Sequence, residues 1–209
     1  MTTLNVRLTF TESILGTLPG NEEIYRDFIA SKAPNEATEE EEVEALSLNE
    51  QLDKAMTGFP RTEDGRPFLY DYQIKGFFKD ACSMLSRLTG KDPETGKKLK
   101  AVNESGKLTA YKKIIDGLIF PAPREIPITF SGDIGICQRP LRAQTAQGER
   151  IALAMSEEIP AGATIEFSIK CLDENHIPAV KEWLNYGELR GIGQWRNASH
   201  GRFVWEEIQ

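Results

Sequence analysis

The chain has 209 residues, of which 40% are hydrophobic and 27% charged, and a net charge of −7. That length suffices for a well-filled core, and no apolar run approaches the roughly 20 residues that a bilayer-spanning helix needs. With no signal-peptide layout of basic, apolar and small residues at its start, the expectation is a cytoplasmic protein with no membrane partner.

Cys82, Cys137 and Cys171 are widely spaced and sit in or beside apolar patterns, so they read as reduced core residues. His176 and His200 are the only histidines, and neither lies in an HExxH or CxxC context. No metal and no cofactor are expected. Residues 21–53 hold 11 acidic residues against Arg26 and Lys32, a local net of −9, which leaves the rest of the chain at +2. Between Arg61 and Lys113 there are 12 basic and 7 acidic residues, so an acidic chain still has the means to build a basic face.

Leu4, Val6, Leu8 and Phe10 alternate with polar residues, the period of a strand with one buried face. The acidic segment at 21–55, with its Glu39 to Glu42 run, reads as an exposed insertion, partly helical near its end. Ile74, Phe77, Phe78, Ala81, Leu85 and Leu88 then form one helical stripe with Gly90 as the stop. Lys75 and Lys79 fall off that stripe, where they suit either a solvated face or phosphate contact. Residues 90–120 are lysine-rich and glycine-punctuated, which predicts a protruding hairpin or loop.

After Pro121 and Pro123, Ile126, Ile128 and Phe130 predict a second strand, and Ile165, Phe167, Ile169 and Cys171 predict a third. Asn175 is placed to cap a helix through Val180, Trp183 and Leu184, with Pro178 in its first turn. Phe203 and Trp205 open a last strand. The series β-α-β-β-α-β predicts an α+β, ferredoxin-like (RRM-like) core with long insertions, in one domain over residues 1–209.

Residues 191–203 join the last helix to the last strand. Gly191 and Gly193 allow positive φ and close approach of a ligand, and successive N–H groups there can make an anion-binding concavity. Trp195 suits stacking on a base, while Arg196 and Arg202 suit phosphates. The same spacing also serves a plain helix-to-strand turn. A dinucleotide fingerprint does not fit, because that motif follows a strand and opens a helix.

Four segments in order resemble the RAMP superfamily, the RNA-binding subunits of CRISPR effector complexes and crRNA-processing nucleases, and above all the backbone subunits of type III effectors. They are Ile14-Leu15-Gly16 after the first strand, residues 62–70 with Gln73-Ile74-Lys75-Gly76, residues 157–167 before the third strand, and the glycine-rich loop at 191–203. Asp71-Tyr72-Gln73 departs from the family's Gly-Ser-Ser helix start, and Asp71 there would repel an anion that the helix dipole attracts.

The resemblance implies a non-catalytic subunit that binds single-stranded RNA, or DNA, across the sheet and the first helix, and that associates with itself or with related subunits. Lys75, Lys79, Arg139, Arg142, Arg196 and Arg202 would neutralise phosphates, Trp195 would stack, and Gly191, Gly193 and His200 complete the set. Two alternatives stay open. One is a RAMP-type endoribonuclease using Asp64 or His200, although Asp64-Gly65 also reads as a turn. The other is an acidic interaction or inhibitor protein that binds a basic partner through the Glu39 to Glu42 run.

Overall fold

The computed structural model describes residues 1–19, 56–88, 103–145 and 148–209. The acidic segment at 21–55 lies outside the described residues, as do residues 90–102 of the lysine-rich segment and the side chains of 141–153. In chain order the elements are β1 (Thr2–Phe10), β2 (Ile14–Leu15), β3 (Leu18–Pro19), β4 (Met56–Gly58), β5 (Phe68–Tyr70), α1 (Asp71–Leu85), α2 (Glu104–Lys107), α3 (Tyr111–Leu118), β6 (Ile119–Ala122), β7 (Glu125–Thr129), β8 (Gly135–Thr145), β9 (Gly148–Ile159), β10 (Thr164–Cys171), α4 (Ile177–Arg190) and β11 (Phe203–Glu207).

The main sheet runs β11-β1-β10-β7-β5, and β6 also pairs with β10. All of its pairings are antiparallel. If β6 and β7 are counted as one interrupted strand, β1, α1, β6/β7, β10, α4 and β11 follow the ferredoxin-like order, with the last strand beside the first. Leu4, Val6, Leu8 and Phe10 of β1 and Ile165, Phe167, Ile169 and Cys171 of β10 are buried, as their alternation predicts. They pack under Ile74, Phe77 and Phe78 of α1 and Val180, Trp183 and Leu184 of α4.

Several local expectations are corrected. The buried stripe of α1 ends at Leu85, and Leu88 is 63% exposed, because the helix stops at a Ser86 cap before the stripe can continue. Asp173, not Asn175, caps the turn before α4: its side chain accepts from Asn175 N–H at 3.0 Å. In the described part of 90–120, residues 104–118 form α2 and α3 instead of a hairpin or loop. Glu182 of α4 accepts from the backbone N–H groups of Glu104 and Ser105, and Trp183 Nε1 donates to Ser105 Oγ at 2.9 Å. These bonds satisfy donors that a short helix leaves unpaired and pin it to the core.

The second sheet, β2-β9-β4-β3 with β8 along the other side of β9, has no counterpart in the six-element reading. Pro140 sits inside β8, a position tolerated because β8 pairs only with β9 among the described strands. This sheet meets the chain leaving β1, since Ile14 and Leu15 pair with Ile159 and Glu158. It therefore stands beside the loop that follows α4.

Candidate nucleic-acid interface

The loop between α4 and β11 is closed at its base. Ile192 N–H donates to Gly201 O at 2.9 Å, and Gly201 N–H donates to Ser13 O at 2.8 Å. Gly191 (φ +75°) and Gly201 (φ +72°) are required here, since an added Cβ would lie 2.6 Å from His200 O or 1.9 Å from Ile192 O. Gly191 thus serves loop closure. Gly193 (φ +90°) has no contact this tight: an added Cβ would meet Leu15 O at 3.6 Å, an ordinary contact distance, and the residue lines a cleft beside α1.

At the tip, Trp195 takes a left-handed conformation (φ +53°), which costs an aromatic residue about 1–2 kcal/mol, and it remains 40% exposed. Its indole stacks on His200 (5.0 Å between centroids, 19° between planes) and lies 5.1 Å from the Arg139 guanidinium carbon. Arg139 is only 8% exposed. Its Nη2 donates to Gln194 Oε1 at 2.8 Å, while Nε and Nη1 are buried with no hydrogen-bond partner among the described residues. Arg202 Nε is buried and unpartnered too. An unpaired buried donor costs roughly 1–3 kcal/mol, so these cations are held at the loop at some expense in stability.

Gln194 locks the loop to the second sheet. The two hydrogens of its Nε2 are shared among three acceptors within reach, Gly16 O, Thr57 Oγ1 at 2.7 Å and Ser156 Oγ at 2.9 Å. On the α1 side, Asp80 binds Arg190 Nε at 2.8 Å and Arg196 Nη1 at 2.7 Å. Burial works against the ionised Asp80, but the two guanidinium groups outweigh it and hold the carboxyl below the ordinary carboxylate range. Ser13 Oγ donates to Glu158 Oε1 at 2.5 Å. Having spent its one hydrogen there, it accepts from Nδ1 of His200 at 2.9 Å, which leaves Nε2 free.

The expected contacts therefore divide. Gly193, Trp195, Arg196, His200, Arg202 and Arg139 converge at the loop. Lys75 and Lys79 lie along α1 and are engaged, Lys75 with Asp116 O (3.2 Å) and the Phe120 ring (4.5 Å), and Lys79 with the Asp116 carboxylate (2.6 Å). Arg142 lies on β8 opposite Ile151, with its side chain outside the described residues. The exposed side of the sheet centres on Arg7, already bonded to Glu166 (2.7 Å) and Glu206 (2.9 Å). The Arg7 charge at the middle of that face is thus engaged by two carboxylates.

Asp64 is a turn residue. Thr62 Oγ1 donates to it and Arg66 Nε bonds it at 2.7 Å, which keeps its carboxyl below the usual range. The start of α1 is closed as well: Gln73 Oε1 accepts from Tyr70 N–H and Asp71 Oδ1 from Tyr72 N–H, both at 2.8 Å. Sequence reading missed Asp80, Arg190, Gln194 and Ser13. Each is an ordinary polar residue whose role depends on a partner far away in the chain.

A ferredoxin-like core with a glycine-closed loop packed beside the first helix and an auxiliary sheet defines the class of fold. No protein-family model and no characterised protein sequence matches the chain. Among solved structures it is similar to a chain of the type III-B Cmr-beta complex bound to cognate target RNA, with a TM-score of 0.50 and 12% identity over 100% of this chain and 59% of that one. It is also similar to a chain of a type IV-B CRISPR complex (0.48, 10% identity, 99% and 90% covered) and to Cmr6 from Pyrococcus furiosus (0.49, 10% identity, 97% of each). The chain thus spans about three fifths of the length of the first of these. At such identity the likeness is one of fold, and in fold the chain agrees with its resemblance to RAMP subunits. Among the described residues no helix is long and apolar enough to cross a membrane.

Proposed function

We propose that this chain is a single-stranded RNA-binding, non-catalytic subunit of a CRISPR-type ribonucleoprotein assembly, and that it holds the strand across the 191–202 loop and the adjoining side of α1. The observation that carries this reading is Trp195, a strained and exposed aromatic at a loop tip beside the Arg139 guanidinium, two of whose nitrogens have no partner among the described residues. Strained residues persist where function retains them, and an exposed aromatic beside an unpaired cation suits a base and its phosphate. A base that draws the indole away opens the Arg139 donors to the neighbouring phosphate. Association with further copies or related subunits belongs to the same proposal, supported by the fold of a chain from the RNA-bound complex.

Photo-crosslinking of a 4-thiouridine-substituted RNA, followed by peptide mapping, tests the placement. Adducts are expected on peptides spanning 191–202 and α1. Adducts confined to β1 and β10, or none from folded protein, would overturn it.

One observation favours a second reading, that of an endoribonuclease. The Glu158–Ser13–His200 chain fixes the imidazole with Nε2 free to take a proton from a 2′-hydroxyl. Cleavage of bound RNA that is lost in His200→Ala would establish it, whereas intact RNA after prolonged incubation with wild type leaves the binding-subunit reading in place.

A further inference from the structure

Between α1 and the loop lies a cleft of about 300 Å³. That is the lower end of the roughly 300–1,000 Å³ usual for small-ligand sites, room for one ring system. Its floor is apolar, built by Phe77 and Ile192, both 3% exposed. Gly76 and Gly193 form its walls, and Thr17, Gln73 and the Asp80–Arg196 pair its polar edge.

Two independent features indicate what the cleft takes. Arg196, the cation at its edge, is already ion-paired with Asp80, and Asp80 is bonded to Arg190 as well. The cluster keeps a net charge of +1, but both guanidinium groups are turned onto Asp80, and the apolar floor beside them suits a flat molecule that forms hydrogen bonds. The second feature is Gly76. Glycine inside a helix is unfavourable relative to alanine, and no described residue lies within 4 Å of where its Cβ would be, so none of them demands it. The space left open there belongs to the cleft.

We infer that this cleft is a nucleobase subsite, which receives one unstacked base of the bound strand. The inference rests on the single-strand reading above and adds a preference. Asp80 Oδ1 carries only a long contact, 3.4 Å to Arg190 Nη2, which leaves an acceptor for an exocyclic amino group. Gln73 has given Oε1 to Tyr70 N–H and one Nε2 hydrogen to Thr17 Oγ1, so one N–H and the Thr17 hydroxyl hydrogen complete the edge. Adenine, cytosine and guanine supply an exocyclic amino group, and uracil does not.

The test is fluorescence anisotropy with the full-length protein and three labelled RNAs of equal length, oligo-adenylate, oligo-uridylate and an abasic strand, for wild type, Gly76→Ala and Gly76→Leu. Thermal melts confirm folding. Wild type is expected to bind adenylate more tightly than uridylate and at least about tenfold more tightly than the abasic strand, the scale of one stacked base. Gly76→Leu is expected to erase the preference for adenylate over uridylate and to narrow the gap to the abasic strand, the remainder of which belongs to stacking on Trp195. Equal binding of adenylate and abasic RNA by wild type overturns the inference whether or not the leucine variant folds. If wild type binds none of the three, the single-strand reading fails. The cleft is then tested alone with adenosine monophosphate: shifts in the Gly76 and Gly193 amide resonances support it, and unshifted resonances overturn it.

Discussion

Asp80 shows how one residue decides what its neighbours can do. With Arg190 and Arg196 both on its carboxylate, it converts a cation suited to phosphate contact into half of an internal ion pair. Because its folded-state pKa is depressed, its contribution is fully present above the unfolded value of about 3.9 and is lost as pH falls through the folded value. Asp80→Asn is therefore expected to lower stability by about 1–3 kcal/mol at pH 7, as urea unfolding reports. The gap to wild type should narrow at pH 3, and a gap of equal size at both pH values would contradict the assignment. The thiols give a second check at this scale. Burial pushes Cys82 and Cys171 each up to about 11, while Cys137 is only half-buried. Ellman's reagent at pH 8 should find at most one thiol reacting quickly in native protein and three in denaturant; two or three fast native thiols would refute the burial.

At the scale of elements, two helix glycines make opposite predictions. A Cβ on Gly187 of α4 would sit 2.1 Å from the Phe203 ring, whereas one on Gly76 of α1 meets nothing within 4 Å. Gly187→Ala is expected to cost about 1–3 kcal/mol through overpacking, while Gly76→Ala gains up to about 1 kcal/mol of helix propensity. Urea midpoints should move in opposite directions, and a shared direction would be a refutation. The elements legible in the sequence were β1, β7, β10, β11, α1 and the apolar face of α4. Those missed depend on distant partners. Helix α2 is held by Glu182 and Trp183, and Pro140 within β8 disguises a long hairpin strand as a break.

Across the whole molecule, an acidic chain becomes a nucleic-acid binder only where cations remain unspent. Gly193, Trp195, Arg196 and Arg202 were legible as a loop, because glycine punctuation and residue chemistry show in sequence. That Asp80 claims Arg196 was not, since their pairing spans more than a hundred residues. Neither was the difference between Lys79, held in an ion pair, and Arg139, which has no carboxylate partner among the described residues. With Arg139 and Arg202 the cations beside the loop that make no ion pair among the described residues, log affinity for single-stranded RNA should fall with log salt at a slope of only about −1.4, from roughly −0.7 per phosphate contact. A slope several times steeper would mean that other cations carry the strand. Deleting residues 36–45 should leave affinity unchanged or tighter by relieving repulsion, and a loss of binding would move the function to the acidic segment.

The most direct measurement is anisotropy of a labelled single-stranded RNA at low salt with wild type, Trp195→Ala/Arg139→Ala and Arg196→Ala. The account predicts binding by wild type, a loss of more than about tenfold, or about 1.4 kcal/mol, in the double variant, and little change in Arg196→Ala because that charge is already spent on Asp80. No binding by folded wild type, or an Arg196→Ala loss as large as that of the double variant, would contradict it.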